Sequence, residues 1–279
     1  MSGAMKWTLL ALLLLPSLSL AEECVPGKTK IQITNIVFEN TSGLTTSLKN
    51  EIREQIEAKV HDYCQLADEM PQRARDILQR HGYFKALVYD PTWKQVGGSD
   101  SEQQVQVLLV MELGSVFKLD SIRFSGSMVF DQQQLRSAIP MADGDLFNVE
   151  FMRDGLKNLR ELYCSVGYIN FTPVPNTEID EERHVIRVLF DLDQGEQYHV
   201  GQLYLNGQEP YPGAGETLLE AWKPYIGKVW DCRLSERILT EYNKRHGHEP
   251  LAVCEGSSPV HVNHETKTID VTFEFPDRK

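Results

Sequence analysis

Four histidines gather in the last part of the chain, His246, His248, His261 and His264, with Asp231, Glu249 and Glu255 near them in sequence. Imidazoles two or three residues apart can meet across a hairpin and hold zinc. Solvated turn and strand histidines have the same spacing, and no matching pair occurs earlier in the chain. The other reactive side chains are five cysteines. A helix over 232–244 would rise about 20 Å, and a strand over 249–254 would return about 17 Å. Those matched lengths predict a disulfide between Cys232 and Cys254. Cys24, before the first strand, and Cys64, after the first helix, form a second predicted pair, which leaves Cys164 as a partly buried thiol. The chain has no glycine-rich phosphate loop, nucleophile elbow or zinc-protease motif. The run Glu178, Asp180, Glu181, Glu182 reads as a solvated turn. These residues predict a protein that binds rather than catalyses, with no cofactor and no metal.

Residues 1–21 have the form of a secretory signal peptide: Lys6 is the only charge, 7–20 is almost wholly apolar, and Ser19-Leu20-Ala21 suits a signal peptidase. That apolar run is shorter than the roughly twenty residues a membrane-spanning helix needs. The chain is acidic, with a formal net charge of −12, and its Lys and Arg residues are scattered. Such a surface has no electrostatic footprint for nucleic acid.

The elements that must hold these residues come from a repeat. Gly114, Phe117, Leu119, Ile122, Phe124 and Gly126 have the same offsets as Gly195, Tyr198, Val200, Leu203, Leu205 and Gly207. Ile31, Ile33, Ile36, Phe38 and Asn40 repeat the pattern upstream, with Asn in place of the closing Gly because Asn tolerates positive φ. A second landmark follows each copy: Gly82-Tyr83-Phe84, Gly167-Tyr168-Ile169 and Gly247-His248. Three units therefore follow the signal peptide, 22–115, 116–196 and 197–279. In each, an alternating apolar strand slips its period between the second and third apolar positions, which predicts a bulge. Two helices follow, the second capped by the landmark glycine. A short apolar strand, a polar hairpin (97–102 and 176–182 in the first two units) and a final alternating strand complete a β-α-α-β-β order. The fold class is α+β, a tandem array of three-stranded sheets, each covered by two helices.

The Gly-to-Gly pattern and the Gly-Tyr-aromatic step resemble POTRA (polypeptide-transport-associated) domains, in the style of BamA- and TamA-type outer-membrane assembly factors, over about Lys30–Lys279. The resemblance implies a periplasmic scaffold for unfolded outer-membrane proteins or an outer-membrane assembly or translocation complex. It also implies binding of extended polypeptides by strand addition at a sheet edge. In the POTRA order the edge is the middle strand of the sequence. That places the candidate binding edges at Ala86, Leu87, Val88 and Tyr89, at Ile169, Asn170 and Phe171, and at Leu251, Ala252 and Val253. POTRA domains usually precede a membrane barrel, so this chain is expected to be a freestanding array. Two other readings stay open: a metal-binding or catalytic periplasmic protein centred on the histidine-rich third unit, and a truncated barrel-assembly factor.

Overall fold

The computed structural model describes residues 30–58, 62, 64–126, 129–245 and 260–275. In the first unit, β1 (Lys30–Glu39) leads to α1 (Thr46–Glu57), whose N-terminus is capped by Thr45. A π-helical turn, Gln65–Glu69, runs into α2 (Met70–Arg80), followed by β2 (Leu87–Val88), β3 (Thr92–Gly98) and β4 (Glu102–Glu112). The second unit has β5 (Lys118–Gly126), α3 (Gln132–Ser137), α4 (Val149–Cys164), β6 (Thr172–Asp180) and β7 (Val185–Asp193). Asp131 and Gln134 form a capping box at the start of α3, which satisfies two backbone donors there. The third unit has β8 (His199–Asn206), α5 (Ala214–Trp222), α6 (Leu234–Arg245), β9 (Val260–Asn263) and β10 (Thr268–Glu274).

In every sheet the last strand of the unit is central. It pairs in parallel with the first strand, as β1–β4, β5–β7 and β8–β10. On its other side it pairs antiparallel with β3, β6 or β9. The central strands alternate as their sequences require: Val105, Val107, Leu109 and Met111 are buried, as are Ile186, Val188, Phe190 and Leu192. These side chains face the two helices and give each unit its own core. The predicted bulge is present in each first strand, where Thr34, Asp120 and the Gly201–Gln202 step stand opposite a shortened partner. Polar side chains form hydrogen bonds around each bulge. The Thr34 hydroxyl donates to Val105 O (3.0 Å), Arg187 Nε donates to Asp120 (2.6 Å), and Asp270 accepts from Gln202 N–H (2.7 Å).

The landmark glycines join one unit to the next. Gly82 and Gly167 have φ of +86° and +89°, and the chain turns there out of α2 and α4. Their carbonyls accept hydrogen bonds from the first aromatic residue of the following unit, Phe117 N–H and Tyr198 N–H, each at 2.9 Å. Those aromatic residues then accept, through their own carbonyls, from Phe147 N–H and Trp230 N–H, also at 2.9 Å. Phe117 and Tyr198 are wholly buried. The third landmark residue reaches forward too: Phe84 packs against the second core and Ile169 against the third.

Two placements differ from the sequence reading. Ile169, Asn170 and Phe171 form a turn, closed by Phe171 N–H donating to Tyr168 O, and the strand begins only at Thr172. Ala86 lies in the equivalent turn, closed through Tyr83 O; Leu87 and Val88 do pair with β4, but most of that edge is Thr92–Gly98. Apolarity after the landmark glycine marks core and junction contacts, not the strand. Consequently Asn176–Asp180 is strand, and the turn is confined to 181–184.

The closing glycine of the repeat has a testable steric role. A Cβ on Gly126 (φ +91°) would lie 2.3 Å from Leu192 O, whereas one on Gly144 (φ +92°) meets nothing within 4 Å. Gly144→Ala should cost about 1–2 kcal/mol from left-handed strain alone. Gly126→Ala should cost about 2–5 kcal/mol, with overpacking added to that strain. Urea denaturation of the full chain checks the difference.

Candidate peptide-binding edge

In the second and third units the two sides of the sheet are not equally open. In the second unit, Leu119 N–H donates to Asp145 O and Gly144 N–H to Leu119 O, so the inter-helix loop covers the start of β5. In the third, Val200 N–H donates to Lys228 O and Gly227 N–H to Val200 O in the same way. On the other side of the last strands lie β3, β6 and β9, which have no further strand beside them among the described residues.

Which backbone groups face that open side follows from the central strands. Val105 O faces β1, since it accepts from Thr34, while Val110 O accepts from Tyr89 N–H on the other side. The partners of Val105 and Val107 are Gln95 and Trp93. Their backbone groups therefore turn away from β4, toward the open side. In the second unit, Phe190 O accepts from the Ser125 hydroxyl on β5 (3.5 Å), and Leu192 O abuts Gly126. Their partners on β6 are Pro175 and Pro173. The outward positions at the start of β6 are thus prolines, which have no N–H to offer.

A proline also limits the first unit, but less. Tyr89 N–H reaches Val110 O and Thr92 pairs with Leu108, so Asp90 and Pro91 together oppose Leu109 in a bulge. Beyond it, β3 runs for seven residues without proline. On β6 the proline-free stretch is Asn176–Asp180, the last part of a nine-residue strand. The solvent-side residues differ as well. On β3 they are Thr92, Lys94 and the bulged Val96, which is 52% exposed. On β6 they include Glu178 and Asp180, both ion-paired with Arg187. Charged side chains on an edge strand are a common guard against pairing. Nearby on the first edge, Tyr89 donates to Glu112 (2.6 Å), and that hydrogen bond raises the pKa of its hydroxyl.

The remaining sequence-predicted residues fall as follows. Leu251, Ala252, Val253, Cys24 and Cys254, with His246, His248, Glu249 and Glu255, lie outside the described residues. Cys64 is disulfide-bonded, to a partner outside the described residues. Cys232 is a free thiol, which corrects the expected Cys232–Cys254 disulfide. The matched helix and strand lengths say only that the two cysteines could meet, and Cys232 instead stands exposed just before α6. His264 Nδ1 is hydrogen-bonded to the Tyr198 hydroxyl (2.7 Å), and Asp231 is ion-paired with Arg237 (3.0 Å). Among the described residues no three His, Cys, Asp or Glu side chains group as a metal site. The sequence reading missed Thr92–Gly98, which is largely polar on both faces and carries only Trp93 and Val96 as apolar signals of a strand.

The comparisons with known proteins agree with this architecture. The family model POTRA, "Surface antigen variable number repeat", matches residues 117–195, the second unit. The outer membrane protein assembly factor BamA of Buchnera aphidicola is 19% identical over 207 residues, 74% of this chain and 32% of the relative. BamA of Nitratidesulfovibrio vulgaris is 23% identical over 169 residues, 59% of this chain and 19% of the relative. The chain thus spans about a third or less of the curated relatives it matches. The crystal structure of Haemophilus influenzae BamA POTRA3-5 superposes with a TM-score of 0.66 at 17% identity, covering 91% of this chain and all of that one. The fold is that of a tandem POTRA array resembling the POTRA region of BamA-type outer-membrane assembly factors.

Phe171 is expected to act in the core. It is buried and stacks on Tyr163 with ring centroids 3.6 Å apart. Phe171→Ala should cost about 3–5 kcal/mol of stability, read by urea denaturation, while peptide binding by the folded fraction is unchanged.

Proposed function

We propose that this chain is a non-enzymatic periplasmic scaffold that takes part in outer-membrane protein assembly, binding extended polypeptides by strand addition. Export by residues 1–21 and the relatives' name as assembly factors support the setting. No helix among the described residues is long and apolar enough to cross a membrane. The observation that carries the mode of binding is the open edge of the first unit, Thr92–Gly98, free of proline and bearing one charged side chain, Lys94. Backbone pairing is nearly independent of side-chain identity, which suits unfolded barrel strands as clients. The second unit offers a shorter, more acidic edge, and its outward Pro173 and Pro175 weaken any added strand there.

The test uses a ten-residue peptide of alternating apolar and polar residues, labelled for fluorescence anisotropy. Gln95→Pro removes an outward amide and leaves the β3–β4 ladder intact. Binding should weaken roughly tenfold, about 1.4 kcal/mol, while circular dichroism stays unchanged. Gln95→Thr keeps the amide and should bind like the parent, and Ile179→Pro on β6 should have little effect. Equal affinity of a folded Gln95→Pro variant and the parent would exclude this edge. Replacing Pro173 and Pro175 with Thr should add a second binding site.

A further inference from the structure

In each unit the helices cover one face of the sheet and leave the other exposed. On the first sheet that exposed face is apolar at its centre. Leu108 of β4 has Val37 of β1 and Thr92 of β3 beside it, and Val110 has Glu39 of β1. Leu87 pairs with Glu112, and the Tyr89 hydroxyl donates to the same carboxylate, so both stand at that end of the face. Leu108 and Val110 are half-buried, while Val37, Leu87 and Tyr89 are 40%, 46% and 44% exposed. The matching places on the other sheets are more polar. Leu189 lies between Arg123 and Asn176, and Asp191, beside Ser125, takes the place of Val110. On β10 the two places are Thr272 and Glu274. Single exposed apolar residues are ordinary, but a contiguous group marks a contact surface.

Two opposite charges flank this group. Lys94 pairs with Gln106, two residues before Leu108, and Glu39 pairs with Val110, two residues after it. They stand on opposite outer strands, so the line between them passes over Leu108. Strand geometry separates them by about 14 Å along the strands and about 10 Å across. Both are exposed, and neither forms an ion pair among the described residues. We propose that this face docks on the same face of a second copy of the chain. A two-fold axis set over Leu108, at right angles to the Lys94–Glu39 line, exchanges the two ends. Each Lys94 then meets Glu39 of the partner subunit. The two Leu108 side chains meet at the centre, with Val37 and Val110 around them. A two-fold contact is self-complementary in this way, each patch supplying both halves of every pair.

Sedimentation equilibrium of the exported chain, residues 22–279, across the micromolar to millimolar range tests this. The parent should dimerise. Leu108→Glu should abolish the dimer, whereas Leu189→Glu, at the matching place of the second sheet, should leave it intact. Lys94→Glu and Glu39→Lys should each weaken association roughly tenfold by setting like charges against each other. The double variant, with the charges exchanged, should associate like the parent. Circular dichroism confirms that each variant is folded. A parent that stays monomeric throughout, as a face made for a different protein would leave it, overturns the proposal. So does a dimer untouched by Leu108→Glu, or a double variant no tighter than the single ones.

Discussion

The array depends on one backbone clamp, made twice. The carbonyl of a landmark glycine, Gly82 or Gly167, receives the amide of the next unit's first aromatic residue, Phe117 or Tyr198. That residue's carbonyl is taken in turn by Phe147 or Trp230. A buried backbone group without a partner costs about as much as a lost hydrogen bond, so the clamp fixes where each new sheet begins. Glycine is needed because helix exit requires a left-handed φ and because the next unit passes too close for a Cβ. On Gly167 that atom would lie 2.7 Å from Tyr198 O. Phe84, edge to face with Phe147 at 5.2 Å, adds apolar contact across the first junction. Charged pairs there, Arg80 with Glu150 and Arg153 with Asp76, are substantially exposed and contribute little.

Much of this was legible in the residues. The matched offsets from Gly114 and Gly195 located the first strands, and the slip in their period located the bulges at Thr34, Asp120 and Gly201. Asn40, with φ of +56°, fills the place of Gly126 and Gly207 as its side chain allows. What local pattern could not show was the destination of an apolar residue. Ile169 and Phe171 look like strand residues, yet one packs on the following unit and the other stacks on Tyr163. Burial was read correctly, and the partner was not. The true edge strands, Thr92–Gly98 and Thr172–Asp180, are largely polar on both faces and so resemble hairpin segments.

Hydrogen-bonded junctions and open edges fit together as one device. A strand-addition site must present a straight run of backbone without inviting pairing with other copies of itself. The prolines at 173 and 175, the acidic outer face of β6 and the short β9 each limit such pairing. The edge left most accessible is β3, where Gln95 turns its backbone outward and Val96 offers an apolar contact.

Amide hydrogen exchange of the intact chain, with and without an excess of an extended barrel-strand peptide, tests this account most directly. Strand addition to the first unit predicts new protection within Thr92–Gly98, centred on Gln95, with Thr172–Asp180 unchanged. Protection of Thr172–Asp180 instead, or of helix surfaces with β3 unaffected, would contradict it.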